Sequence, residues 1–167
     1  MKILTIDFET YYSKEYSLTK LTTEEYIRGS EFETIGVSVK VDDEKTEWAS
    51  GTHEQLKDWL QQFPWADSIA LAHNAMFDGA ILNWHFGLRP KFWVDTLCMG
   101  RAIHGVEVGG SLAALTTRYG LGEKGTEVQN ALGKHRADFS VEELSRYGDY
   151  CINDTDLTYK LFDKMLH

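Results

Sequence analysis

Two acidic residues near the start of the chain are the first whose chemistry needs an explanation. Residues 3–10 are rich in β-branched and aromatic side chains, which favours a strand. Because side chains alternate along a strand, Asp7 and Glu9 share one face, opposite the apolar Leu4 and Phe8. Two carboxylates at this spacing stand ~7 Å apart and repel each other. The pair indicates either a cation-binding site or a strand end that faces water.

Two further acids are predicted to lie on inward-facing sides of helices. At ~100° per residue, Asp154 falls between Tyr150 and apolar residues further along the last predicted helix. Burying an unpaired carboxylate costs several kcal/mol, so Asp154 needs a positively charged partner. Asp78 shares a helix face with Ile81 and with His85, and a buried hydrogen bond to His85 is the alternative to a metal.

The four acids, taken together, predict a metal site. They come from three separate elements, and each lies on or beside a surface that faces the core, without enough basic partners for all of them. Oxygen-only ligands favour magnesium or manganese, and the lack of histidine and cysteine clustering argues against zinc.

Composition restricts the class of protein. The 167 residues suit one domain, and the net charge of −9 excludes binding to nucleic acid through a basic surface. An enzyme that holds phosphates through metal ions remains compatible with that charge. No apolar run approaches the ~18 residues of a membrane span, and the N-terminal stretch does not resemble a signal peptide. Cys98 and Cys151 are expected to be reduced core residues of a cytoplasmic protein.

The predicted elements alternate in the manner of an α/β protein. Capping boxes are predicted at Thr22, Thr52 and Ser140, and Asn74 is predicted to cap the helix that carries Asp78. After the first strand, strands are predicted over 33–41, 45–50, 67–72 and 91–94, and helices over 23–28, 53–63, 75–86, 97–103, 112–119 and 141–165. This order predicts a mixed central sheet with an antiparallel hairpin and helices on both faces.

Three short motifs resemble those of the DnaQ-like 3′→5′ exonucleases. They read DFET at 7–10, HNAMFD at 73–78 and YCIND at 150–154, and Tyr150 resembles the tyrosine of the DEDDy branch. The resemblance implies an RNase H-like fold and a single exonuclease domain over residues 1–167. The segment 95–125 is similar to the proofreading domain of bacterial type I-like and phage DNA polymerases. The chain is expected to be either such a domain excised from a polymerase or a free-standing exonuclease.

The resemblance also implies a mechanism with two divalent cations, Mg²⁺ or Mn²⁺. Asp7 would bridge both ions, Glu9 and Asp154 would hold the ion that activates water, and Asp78 would support the second ion. Tyr150, one helical turn before Asp154, would orient the attacking water.

Substrate and partners are expectations from the same resemblance. The substrate is expected to be the 3′ end of single-stranded DNA, and the alternatives are an RNase D-like exoribonuclease and an inactive exonuclease fold that acts as a binding module. A DNA polymerase or another replication protein is a possible partner, in the cytoplasm of a bacterium or a phage-infected cell. Tyr11 would stack on bases unless it packs internally, and Lys124 would contact phosphate. The full set of expected substrate contacts is Phe8, Thr10, Tyr11, Asn74 and Lys124.

Overall fold

The computed structural model describes residues 1–167, and its centre is a mixed five-stranded sheet. The strand order is β3-β2-β1-β4-β5. The pairs β1–β2 and β2–β3 are antiparallel, whereas β1–β4 and β4–β5 are parallel. The predicted mixed α/β architecture is therefore confirmed. The strands are β1 (Lys2–Thr10), β2 (Thr34–Val41), β3 (Glu47–Ser50), β4 (Ser68–Ala72) and β5 (Phe92–Asp95).

Six α-helices surround the sheet, with four short 3₁₀ turns between them. Capping boxes begin the first, second and sixth helices at Thr22, Thr52 and Ser140, as the sequence predicts. No helix of this fold has the length and apolar character that crossing a bilayer would require. The helices are α1 (Thr23–Arg28), α2 (His53–Leu60), α3 (Ala75–Trp84), α4 (Thr96–His104), α5 (Leu112–Tyr119) and α6 (Val141–Leu166).

The central strand β1 separates two hydrophobic cores. Its apolar side chains Leu4, Ile6 and Phe8 are buried together with side chains of α1, α2 and α3. On the opposite face, α6 packs on β1 and β2, and α5 packs on α6. Asp7 pairs with Ser38 of β2 in the sheet register, and the Ser38 hydroxyl contacts Cys151 of α6. The acidic face of β1 is thus the face that α6 covers.

A tryptophan fixes the distance between α6 and the sheet. Trp48 of β3 lies between Gly36 of β2 and Gly148 of α6. A Cβ atom at Gly36 would stand 2.2 Å from the Trp48 ring, and one at Gly148 would stand 2.6 Å from it. Both positions therefore need glycine because no side chain fits between backbone and indole. This packing places the residues on either side of Gly148 over the acidic end of β1.

The start of α3 differs from its sequence prediction. Asn74 stands at the N-cap position, but its side chain makes no capping bond and its backbone is left-handed, with φ of 69°. Its N–H donates instead to Asp95 Oδ1 at 2.9 Å, and the same oxygen accepts from Leu97 N–H at 2.9 Å. Asp95 therefore caps α4 and also holds the β4–α3 turn. A single-sequence pattern does not contain this long-range contact.

Candidate active site

The four acids that the sequence singles out converge at the C-terminal end of β1. Asp7 and Glu9 come from β1, Asp78 from α3 and Asp154 from α6. The N–H of Phe8 donates to Asp78 Oδ1 at 3.0 Å, which attaches α3 to β1 between the two strand acids. Asp78 and Asp154 are 2% and 4% exposed, so both carboxylates are buried. His85 donates no bond to Asp78, since its Nε2 lies 2.8 Å from the carbonyl of Ile27.

A tyrosine that sequence reasoning did not assign to the site positions Glu9. The Tyr147 hydroxyl donates to Glu9 Oε2 at 2.8 Å, and Tyr147 is 2% exposed. Its ring stacks on Phe139 and on Tyr150, at centroid distances of 5.5 Å and 6.1 Å. The signal for Tyr147 in the sequence is its place on the same face of α6 as Asp154, two helical turns earlier.

One positive charge reaches the buried acids. Lys124, from the loop that follows α5, donates to Asp154 Oδ2, and its ammonium lies 4.9 Å from the centre of the Tyr150 ring. The second oxygen, Asp154 Oδ1, is buried and has no hydrogen-bond partner. The sequence predicts that Lys124 contacts a substrate phosphate, whereas in the structure its ammonium is paired with the Asp154 carboxylate. The charge of Asp154 is therefore balanced by one ammonium, while its second oxygen lacks the hydrogen bond that a buried carboxylate requires.

The acids have perturbed pKa values for two physical reasons. Burial, and then the charge of Asp154, raise the pKa of Asp7 to about 7, while Lys124 lowers it. Burial and the charge of Asp7 raise the pKa of Glu9 and of Asp78 well above their usual values. Burial also raises the pKa of Asp154, against the lowering effect of Lys124. Without added cations, burial and mutual repulsion therefore shift these carboxyl groups toward their protonated forms.

The donor groups fit a divalent cation. Ligand atoms of Asp7, Glu9 and Cys151 lie within 4.8 Å of one another, and Asp154 Oδ1 is a buried oxygen without a partner. Cations between the carboxylates would remove the repulsion that raises their pKa values. Most of the donors are oxygens, which suits hard ions such as Mg²⁺ and Mn²⁺.

Tyr150 lies at the same centre. It is 6% exposed, and its pKa is raised by burial and by the charges of Asp154, Glu9 and Asp7. Its hydroxyl therefore stays protonated and can both donate and accept a hydrogen bond.

Two of the residues expected to contact the substrate have rings that pack against other side chains. Tyr11 is 8% exposed and stacks on His135 with a centroid distance of 3.8 Å, so no face of its ring is free for a base. The Phe8 ring stacks on Phe86 in the core, and its backbone N–H donates to Asp78. Strand alternation places Phe8 on the apolar face, whereas the stacking of His135 on Tyr11 joins distant segments that no local pattern connects.

A hollow beside Glu9 offers space for a substrate. It has a volume of about 270 Å³ and is mostly apolar. The Thr10 hydroxyl at its edge bonds the hydroxyl of Tyr26 at 2.7 Å, while Asn74 is half-buried at the start of α3. The lining residues are Phe8, Glu9, Thr10, Tyr12, Ser17, Leu18, Tyr26, Phe77, Val128 and Tyr147.

The mixed sheet and its acidic strand end define an RNase H-like nuclease fold. The model of the 3′-5′ exonuclease family matches residues 9–167, and the chain belongs to this family. The family resemblance inferred from the three motifs is thereby confirmed. Comparison with curated protein sequences gives no significant match.

Solved structures with the same fold include an RRP6 catalytic core and a DNA polymerase. The catalytic core of RRP6 from Trypanosoma brucei superposes with a TM-score of 0.67 at 17% identity, covering 98% of this chain and 40% of that one. The family B DNA polymerase from Pyrobaculum calidifontis gives a TM-score of 0.65 at 16% identity, covering 99% of this chain and 24% of that one. The chain thus spans well under half of the length of these relatives.

Proposed function

We propose that this chain is a 3′→5′ exodeoxyribonuclease that removes nucleoside monophosphates from the 3′ end of single-stranded DNA. The observation that carries the proposal is the convergence of four carboxylates, from β1, α3 and α6, around a single lysine. Membership of the 3′-5′ exonuclease family supports the reaction class. Residues 1–167 would act as one exonuclease domain, free-standing or attached to a polymerase.

The four acids would hold two divalent cations, Mg²⁺ or Mn²⁺. Such ions, when bound, polarise the phosphodiester and lower the pKa of the attacking water. The chain itself supplies rigid support for these ligands: Tyr147 orients Glu9, and the Phe8 N–H orients Asp78. Each support lies on a helix or strand, which limits the movement of the ligand.

Tyr150 and Lys124 complete the proposed reaction centre. The protonated Tyr150 hydroxyl would orient the attacking water by a hydrogen bond. Four ionised carboxylates balance the charge of two divalent ions, so the Lys124 ammonium remains to balance the charge of the scissile phosphodiester. Because Lys124 extends from a loop, its side chain can exchange Asp154 for that phosphate.

The hollow beside Glu9 would receive the terminal nucleoside, with Thr10 in its lining. Asn74, at the start of α3, is a further proposed substrate contact. A single strand suits the acidic chain better than a duplex, since a net charge of −9 offers no extended basic surface. DNA is favoured by the similarity of residues 95–125 to proofreading domains, and a polymerase or replication protein is the proposed partner. The two cysteines are free thiols, which suits the cytoplasm as the proposed compartment.

A timed digest tests this function. DNA and RNA oligonucleotides of the same sequence, labelled at the 5′ end, are incubated with Mn²⁺, with Mg²⁺ or with chelator. Stepwise shortening of the DNA from its 3′ end, in either metal but not in chelator, is expected. Faster shortening of RNA would favour the RNase D-like alternative. Intact oligonucleotides together with a calorimetric failure to bind Mn²⁺ would favour the inactive exonuclease fold that acts as a binding module.

Replacing Tyr150 by phenylalanine is expected to slow the digest by about 100-fold, because the water loses its orienting hydroxyl. Mn²⁺ affinity, measured by calorimetry, should stay within about threefold because no metal ligand is removed. Tyr159→Phe, on the same helix but outside the acidic site, is the matched control and should digest at the wild-type rate. Loss of Mn²⁺ binding in Tyr150→Phe would reassign Tyr150 to support of the metal site.

A further inference from the structure

A buried thiol lies among the acids, where the proposed reaction does not require sulfur. Cys151 of α6 is 0% exposed, and its Sγ lies 3.5 Å from Asp7 Oδ2 and 3.4 Å from the Asp7 carbonyl. Its ligand atom and those of Asp7 and Glu9 all lie within 4.8 Å of one another. The thiol is therefore part of the donor set itself.

The arrangement has the features of a mixed sulfur and oxygen metal site. Zinc forms bonds of ~2.3 Å to thiolate and ~2.0–2.2 Å to carboxylate, which in tetrahedral geometry place sulfur and oxygen ~3.6 Å apart. Cys151 Sγ lies 3.5 Å from Asp7 Oδ2, close to that spacing. The limit of 4.8 Å for the whole set leaves Glu9 to move by up to about 1 Å. A second, independent observation is the unpartnered oxygen Asp154 Oδ1, on a residue only 4% exposed, whose charge raises the pKa of Asp7.

Support for a coordinating sulfur is also present. The Ser38 hydroxyl lies 3.1 Å from Cys151 Sγ, on β2 directly beside Asp7 in the sheet register. When the sulfur carries no proton, this hydroxyl can donate to it, as groups around metal-bound thiolates do. Asp7 is partly exposed, so an ion can enter from the Asp7 side.

We infer that Cys151, Asp7 and Glu9 form a binding site for a thiophilic divalent cation, of the Zn²⁺ or Cd²⁺ type, which competes with Mg²⁺ or Mn²⁺. The inference rests on the proposed metal site and adds a soft ligand to it. On binding, the S–H bond of Cys151 is replaced by a sulfur–metal bond, its proton passes to the buffer, and no electron is transferred. Thiolate favours zinc and cadmium over magnesium. The bound soft ion holds Asp7 and Glu9, so the nuclease is inhibited.

Cadmium titration of the intact chain tests the inference directly. The ultraviolet charge-transfer band of a cadmium–thiolate bond is expected to rise to one equivalent, and added Mn²⁺ should reduce it. Cys98→Ser, the matched control, removes the other thiol, which is exposed and bonded to Asp95, contrary to its predicted core position. The band should persist in Cys98→Ser and vanish in Cys151→Ser, with cadmium affinity at least about 10-fold weaker.

The outcomes separate this inference from the proposed function. Mn²⁺ binding retained in Cys151→Ser, together with loss of the cadmium band, supports the soft site. A band that persists in Cys151→Ser, or no band in the wild type, overturns it even if Mn²⁺ still binds. Failure of the wild type to bind Mn²⁺ overturns the proposed function instead. If Cys151→Ser does not fold by circular dichroism, Cys151→Ala takes its place in the same titration.

Discussion

Replacing Asp7 by asparagine is expected to abolish the metal-dependent digestion of single-stranded DNA, by about a thousandfold or more. Asp7 lies within 4.8 Å of the ligand atoms of Glu9 and Cys151, and its charge raises the pKa of both Glu9 and Asp78. An amide cannot supply the negative charge that two cations need. Asparagine keeps the size of the side chain, so the fold should be retained. The measurement is the initial rate on a 5′-labelled oligonucleotide, with circular dichroism to verify folding.

Asp163→Asn is the control for this prediction, because Asp163 lies exposed on α6 and contacts only the terminal His167. It should digest DNA at the wild-type rate. Asp154→Asn should lose digestion of DNA to the same extent as Asp7→Asn, because it also removes a proposed metal ligand, from α6 instead of β1. Wild-type rates in both Asp7→Asn and Asp154→Asn would show that the acids serve the fold and not the reaction.

Replacing Asp7 by asparagine is also expected to stabilise the metal-free protein at high pH. The native state raises the pKa of Asp7 from 3.8 to about 7, so between these values the folded chain holds a proton that the unfolded chain has lost. Stability from this group is therefore fully present below about pH 4 and is lost as the pH rises through about 7. We expect this loss to amount to about 2 kcal/mol of the free energy of unfolding, a figure that is reduced because Asp7 is partly exposed.

Thermal unfolding in chelator measures this effect. At pH 8, the Tm of Asp7→Asn should exceed that of the wild type by about 4–8 °C, and the difference should disappear near pH 4. Mn²⁺ should reverse the order at pH 8, since an ion at 100 times its Kd adds about 2.7 kcal/mol to the wild type. A wild-type Tm that equals or exceeds that of Asp7→Asn in chelator at pH 8 would show that burial and the neighbouring acids do not disfavour the ionised form of Asp7.

The acids could be located from the sequence because each one interrupts a periodic pattern. Asp154 on the apolar face of α6 and Asp78 on the inward face of α3 were detectable from a 3.6-residue period alone. The alternation along β1 separated Asp7 and Glu9 from Leu4 in the same way. These patterns are local, and the elements that carry them formed close to their predicted limits.

Contacts between distant parts of the chain were beyond such patterns. The bond from Lys124 to Asp154 and the bond from Tyr147 to Glu9 join segments 30 and 138 residues apart. Tyr11 was available for base stacking in the sequence but is covered by His135 in the fold. Each of these contacts depends on the path of a loop, which no periodic pattern describes. For this reason the sequence predicts a phosphate contact for Lys124, whereas the fold pairs it with Asp154.

The contact between Cys151 and Asp7 joins residues 144 positions apart, across the interface between α6 and β1. Loop closure over such a separation costs more conformational entropy than closure of a short loop, so the proposed site depends on one of the long-range contacts of the chain. Tyr150, Cys151 and Asp154 all lie on α6, the last of the helices. Under the proposed function, a partly synthesised chain that lacks α6 would not yet digest nucleic acid.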